Sequence, residues 1–460
     1  MVTNSHPYTI YKFGNFSLGG GNIFKCLVAY VVIFIIFFAF YAFAGYKEEV
    51  PEYMVFLQFF YFIFYTTALL GAYKVSFTRK EFYVYVFIYS VIAALLIREL
   101  SWEFRNEPFL GGVDSQTYNS FGKIAINQDL PYLKYVDILS EEWGLDDQGM
   151  SFVIYFVYKI AGSAIAAQYL LLFINAFVIT GCAWRLDGIM RYFQIERKLR
   201  RFCVAVYAFF PFLSLTAGVG LKENFFLFII ISAFYYMFRY KETKYRKYLL
   251  FTVIFCILTI FFRLATFAMM IISLFICLIG TEKNGKGLMR LMILGAVVGA
   301  LAMSILLTVL FGRNLEAFLT IAASRTGQVS EGVGSIGSWV IGFLAVFLGP
   351  FPNFSKLSEY ALVHSSGVLM KGVLGFPILM GMIYYSRKYI TKFYPLLVYF
   401  LMNTLMVVLV GVSLDMRYQI PFFPLALPYA ARYLQDRKLK LYFLYYIAFL
   451  FILIFFYNRR

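Results

Sequence analysis

Apolar residues run through this chain in helix-length blocks, and polar residues collect in the gaps between them. Such blocks occupy about 23–45, 52–72, 82–98, 164–184, 289–311, 368–385 and 441–457, with shorter arms elsewhere. Several reach the roughly 20 residues that an α-helix needs to cross a bilayer. None shows the alternation over about ten residues that marks a transmembrane β-strand. The pattern predicts an all-α, polytopic transmembrane helical bundle of about 12–14 membrane helices plus re-entrant segments. Residues 1–22 read as a cytoplasmic tail and 23–460 as a single transmembrane domain. The run beginning near Ile23 is too long for a cleavable leader and has no small-residue cleavage site, so it reads as a first membrane helix.

The polar gaps orient the bundle. The first connection, KEEVPE, is acidic and the second, KVSFTRKE, is basic. Lys and Arg concentrate in cytoplasmic loops. The third helix therefore delivers the long hydrophilic stretch 99–149 to the outside. That stretch carries ten acidic residues against Arg105, Lys123 and Lys134. Residues 150–184 are mostly apolar but break at Ala161-Gly162-Ser163, while 185–201 carries six basic and two acidic residues and belongs inside. Only an odd number of crossings fits, so 150–161 reads as a re-entrant or interfacial helix and 164–184 as the crossing.

Two hairpins follow between basic clusters at 185–201, 239–247 and 283–290. Their tips, GVGLKEN at 218–224 and the segment around Arg263, must both face outward. Arms of about 13–17 residues are short for a hydrocarbon core of roughly 30 Å, so the tips should sit in a recess below the outer surface. A second outer loop is expected at 312–338. A third hairpin, 393–431, has its tip at SLDMRYQ, residues 413–419. This count places Asn458-Arg459-Arg460 outside, against the positive-inside preference.

Composition agrees with the pattern. Of 460 residues 62% are hydrophobic, mean hydropathy is +0.76 and 14% are charged. A net charge of +17 would suggest nucleic acid in a soluble protein, but here the cations flank apolar runs and read as orientation signals and anchors for anionic lipid, with no nucleic-acid partner. The five cysteines form no CxxC pair, and His6 and His364 are too scattered for a metal site. No GxxxxGK[ST], HExxH or GxSxG motif occurs.

A charge at membrane depth costs roughly 2.5–3.5 kcal/mol, so such residues face a cavity or a partner. Asp114, Lys222, Glu223, Arg263 and Arg417 all fall on the predicted outer side, each cation on a different hairpin. Each has a plainer reading. Asp114 could cap a helix over Ser115–Ile126, Lys222-Glu223 could pair locally, and Arg417 could pair with Asp415. Taken together they are one candidate base and several cations. A carboxylate can deprotonate a hydroxyl, and Lys and Arg hold phosphate and stabilise it as it departs. Tyr118 lies one helical turn beyond Asp114. Gln116, Tyr418, Arg313, Arg325 and His364 are further candidates for holding substrate, although Arg313 and Arg325 alone read as solvated loop charges.

Three stretches resemble the polyprenyl-linked sugar transferases of the GT-C superfamily, and within it the EpsG-like and Wzy-type polymerases of bacterial surface polysaccharides. The first is a helix ending in Arg98 followed by GGVDSQTY, with Asp114 and Tyr118. The second is GVGLKENFFLF with Arg263 some forty residues on. The third is LDMRYQIPFFPLALPYA, similar to an Arg-Tyr-x-x-Pro-x-x-Pro signature. The resemblance implies a GT-C-like bundle in the inner membrane, working on a polyprenyl-(di)phosphate-linked sugar and a glycan acceptor at the outer face. In that role Asp114 would act on the acceptor hydroxyl. Lys222, Arg263 and Arg417 would hold the lipid (di)phosphate, Glu223 would hold Lys222, and Tyr118 and Tyr418 would stack on sugar. Partners would include a chain-length regulator or a flippase. The acidic motif is Asp-Ser rather than the Asp-Asp or Asp-Glu of metal-assisted members, so no divalent metal or other cofactor is expected. The third stretch fits monosaccharide transferases as well as polymerases. A flippase or secondary transporter is the competing class, but the paired half-sequences with interrupted helices common in carriers are not visible.

Overall fold

A computed structural model of the chain describes residues 79–105, 113–128, 130–143, 148–279, 342–347, 361–388, 390–409, 416–436 and 441–458, with a few isolated positions besides. The expected helices at 23–45 and 289–311, the tail 1–22 and the loop 312–338 lie outside the described residues, as does nearly all of 52–72. Among the described residues the architecture is all-helical, with no strand. The helices are α1 (Arg79–Arg105), α2 (Val113–Asn127), α3 (Tyr132–Trp143), α4 (Gln148–Ala161), α5 (Ala164–Tyr192), α6 (Arg197–Ala208), α7 (Pro211–Gly218) and α8 (Glu223–Thr243). They continue as α9 (Arg246–Leu258), α10 (Leu264–Ile279), α11 (342–347), α12 (Ala361–Lys388), α13 (Ile390–Leu409), α14 (Met416–Gln419), α15 (Leu427–Asp436) and α16 (Leu441–Asn458). Among the described residues, four stretches are long and apolar enough to cross a membrane by length and composition: Glu81–Glu99, Ala164–Tyr192, Arg197–Gly218 and Gly367–Tyr385.

Helix α5 is the central post, packed against α1, α4, α6, α7 and α8. Its start is set by Gly162, whose φ of +68° favours a residue without a Cβ, and by Ser163, whose Oγ accepts from the Ala166 N–H at 3.2 Å. The break expected at 161–163 is therefore an N-cap. Before it, α4 is 14 residues, about 21 Å, too short to cross the hydrocarbon core.

Two polar stretches take helical form. The hydrophilic stretch 99–149 is mostly helix: α1 continues to Arg105, and α2 and α3 follow. On α2, Ser115, Tyr118, Phe121 and Ala125 are buried while Gln116, Ser120 and Lys123 are exposed. The basic segment 185–201 is helical on both sides of a turn at 193–196, and contacts take up several of its charges. Asp187 accepts from Arg200 Nε at 2.7 Å and lies 3.5 Å from Arg201 Nε. The buried Arg201 guanidinium lies over Phe82 and Tyr83, and Arg185 over Phe228. Only a short turn around Gln194 (φ +58°) separates α5 from α6.

Helix α12 organises the other half, packing on α7, α13, α15 and α16. It achieves this through glycine. A Cβ on Gly381 would stand 2.4 Å from the Tyr429 carbonyl oxygen, and one on Gly367 2.8 Å from the Phe212 ring, so only hydrogen at these positions permits the approach.

Candidate functional site

The α7–α8 turn presents Lys222 and Glu223. Pro211 starts α7 at its first position, and Gly220 (φ +71°) ends it in a left-handed turn closed by Leu221 N–H donating to Thr216 O at 2.9 Å. Behind the turn lies a buried amide chain. Asn224 Nδ2 donates to Asn175 Oδ1 and to Leu213 O, each at 3.1 Å, and Thr216 Oγ1 donates to Asn224 Oδ1 at 3.1 Å. These bonds join α5, α7 and α8 and leave the turn little freedom.

Arg263 occupies the interruption between a 3₁₀ turn (Thr259–Phe261) and α10. Its guanidinium lies 4.9 Å from the Tyr418 ring centre and 5.5 Å from that of Phe226. Phe226 in turn stacks on Phe262 at 5.9 Å. Arg417 and Tyr418 come from the single turn α14.

The elements converge at α2. Arg417 Nη1 donates to Asp114 Oδ2 at 3.1 Å across 303 residues of sequence. Lys222 feels the charges of Arg263, Glu223, Asp114 and Arg417, and the buried Tyr118 hydroxyl feels Glu223, Asp114, Arg263 and Arg417. These residues therefore share one electrostatic neighbourhood. Glu223 is 1% exposed and its Oε2 has no hydrogen-bond partner among the described residues, whereas Asp114 and Arg417 are 45% and 33% exposed at their side chains. Solvent reaches the ion pair but not the second carboxylate.

Electrostatics follow from burial. Desolvation first, and the Arg263 guanidinium second, push the Lys222 ammonium down to about 8, against the opposing pull of Glu223 and Asp114. Burial, Glu223 and Asp114 raise the Tyr118 hydroxyl far above the usual tyrosine value, so it keeps its proton at any physiological pH.

The other sequence candidates do not all arrive. Gln116 is exposed, two residues on from Asp114 and so on the opposite side of α2. The Tyr418 ring carries the Arg263 and Arg417 guanidinium groups, at 4.9 and 5.9 Å from its centre. His364 falls on the first turn of α12. Arg313 and Arg325 lie outside the described residues, as does Asp415, the local partner considered for Arg417. The sequence reading passed over Asn175, Asn224, Lys371 and Gln419. Asn175 and Lys371 stand inside apolar runs, Lys371 within 368–385, whereas Asn224 and Gln419 belong to the polar tips at 218–224 and 413–419.

No family model and no curated protein matches the chain. Among the solved structures that the chain overlays loosely, three are of oligosaccharyltransferase from Archaeoglobus fulgidus. The first, AglB in complex with an inhibitory peptide and a dolichol-phosphate, is 13% identical over 81% of this chain and 54% of that one, with a TM-score of 0.43. The apo form is 14% identical over 82% and 54%, with a TM-score of 0.42. The form tethered to an acceptor peptide containing the NVT sequon is 14% identical over 82% and 53%, with a TM-score of 0.43. The chain thus spans about half the length of the proteins it overlays. Likeness this loose leaves the chemistry to be argued from the residues themselves, which belong to an all-helical, multi-pass membrane protein.

Proposed function

We propose that this protein is a membrane glycosyltransferase that moves a sugar or oligosaccharide from a polyprenyl-(di)phosphate donor to a glycan acceptor. It would work at the extracytoplasmic face of the bacterial inner membrane, in surface-polysaccharide synthesis. The observation that supports this most directly is the Asp114–Arg417 pair with Lys222, Arg263 and Glu223 around it, built from four separate stretches of chain. Glycosyl transfer from a lipid phosphate needs two things: a base for the incoming hydroxyl, and positive charge where the leaving phosphate gains negative charge.

Arg417 takes Oδ2 of Asp114, which leaves Oδ1 for the acceptor hydroxyl. As the bond from the anomeric carbon to the phosphate oxygen breaks, its electron pair goes to the phosphate. The hydroxyl oxygen forms the new bond to that carbon, and its proton passes to Asp114. Arg417, Arg263 and Lys222 stabilise the departing (di)phosphate. Tyr118, permanently protonated, can donate a hydrogen bond to sugar or phosphate. A divalent cation fits this donor set poorly, because three cationic side chains already crowd the two carboxylates.

The test is transfer by purified protein in liposomes, with polyprenyl-diphosphate oligosaccharide and polyprenyl-phosphate monosaccharide supplied separately. Release of free lipid diphosphate or phosphate alongside a lengthened glycan supports polymerase or monosaccharide transferase respectively. Lipid counterflow with every glycosidic bond intact would instead make the protein a carrier.

The lowered Lys222 value adds a pH prediction. Below about 8 this side chain is a cation, and above it is neutral, so donor kcat/KM should fall as pH rises through that value. Lys222→Arg keeps its charge to pH about 12 or beyond and should carry the falling limb well into alkali. A limb that stays in place in the variant assigns it to another group.

A further inference from the structure

We infer that Lys371 is a positioning residue that holds the Arg417-bearing turn in register with Asp114. It rests on the reading of Arg417 as a phosphate-binding group, and extends that reading into the membrane-embedded half of the molecule. Lys371 lies within the span Gly367–Tyr385 and is fully buried. An ammonium at that depth is costly unless acceptors surround it. It donates to Ala345 O at 3.2 Å, to Gly349 O and to Gln419 Oε1. An ammonium has three protons, and the three acceptors use them all. Two acceptors are carbonyls at the C-terminal end of α11, and the third belongs to α14, two residues beyond Arg417.

The surroundings make this a fixed point. One turn along α12 from Lys371, Gly375 lets the Phe347 carbonyl approach so closely that a Cβ would stand 2.3 Å from it. The end of α11 is thereby seated directly on α12. Gln419 is fully buried, and its neighbours Met416 and Ile420 are 1% exposed. They are joined by an Ile420 N–H bond to Met416 O at 3.1 Å. With Gln419 pinned from below, Arg417 projects toward Asp114. A four-residue helix has too few internal hydrogen bonds to hold that direction alone. Lys371 touches neither Asp114 nor Arg417 in any hydrogen bond described, so its effect passes through the turn.

The test uses Lys371→Met, which removes the charge at similar length, and Gln419→Leu, which breaks the same link without touching a charge. Amide hydrogen exchange in detergent should quicken over 416–422 in both variants while α7 keeps its protection. Unchanged exchange over 416–422 overturns the proposal. Binding of undecaprenyl phosphate should weaken about tenfold or more in each, since small misplacements of a binding group are costly. In an Arg417→Gln background, adding Lys371→Met should change the residual affinity by less than about twofold, the signature of two residues acting as a unit. Equal losses in both backgrounds mean that Lys371 acts elsewhere and overturn it. If Arg417→Gln alone leaves the affinity intact, phosphate binding at Arg417 fails, and the exchange result alone decides whether Lys371 positions the turn. Should Lys371→Met not accumulate in the membrane, Gln419→Leu carries both measurements.

Discussion

Asp114→Asn is expected to lower the turnover of sugar transfer by about 10²–10⁴-fold, the range that a positioned general base contributes. Donor affinity should change little. Asn keeps the shape of the side chain and can still accept a hydrogen bond from Arg417, but it cannot take the acceptor proton. The substitution is a clean probe because the ion pair it alters is half-exposed. A pair in that setting contributes less than about 1 kcal/mol to folding, so thermal stability in detergent should stay near that of the parent. Transfer rates measured at saturating donor and acceptor decide the matter. Turnover within a fewfold of the parent would remove Asp114 from the chemical step and leave it as a partner that merely orients Arg417.

Arg417→Gln is expected to cost about 10²–10³-fold in kcat, as removal of one group stabilising developing charge does elsewhere. Here KM for the lipid donor should rise as well, because the guanidinium would meet the phosphate in the ground state too. Arg417→Lys should recover part of the loss. It restores the charge but not the planar fork, nor the stacking against Tyr418 that the 5.9 Å guanidinium–ring distance describes. Lys equal to Arg would mean that charge alone matters at this position. Lys no better than Gln would mean that the fork is what the phosphate needs. Indifference to all three side chains would end the assignment.

The polar interruptions were the legible part of this chain. Inside an apolar run a glycine followed by serine is a signal for a helix boundary, and Gly162-Ser163 ends one helix and caps the next. The tips around Lys222 and Arg263 were equally visible, because a charge between two apolar arms has few other places to go. Two properties hid the rest. The helices in 99–149 intersperse their buried apolar residues with many charges, so a composition-led reading takes them for loop. Lys371 was hidden for the opposite reason: its surroundings are so apolar that the stretch reads as a plain membrane helix. Only the fold reveals the carbonyls of α11 and the Gln419 amide that receive the ammonium. That Asp114 meets Arg417 rather than remaining a simple helix cap could not be read from spacing, since 303 residues separate them.

That separation has a consequence for biosynthesis. At about 5–20 residues per second, the ribosome releases Arg417 about 15–60 seconds after Asp114. Throughout that interval the nascent chain already carries its acidic residue but lacks the guanidinium that pairs with it. The cluster can therefore close only once its fourth stretch of sequence has been made and docks against the first.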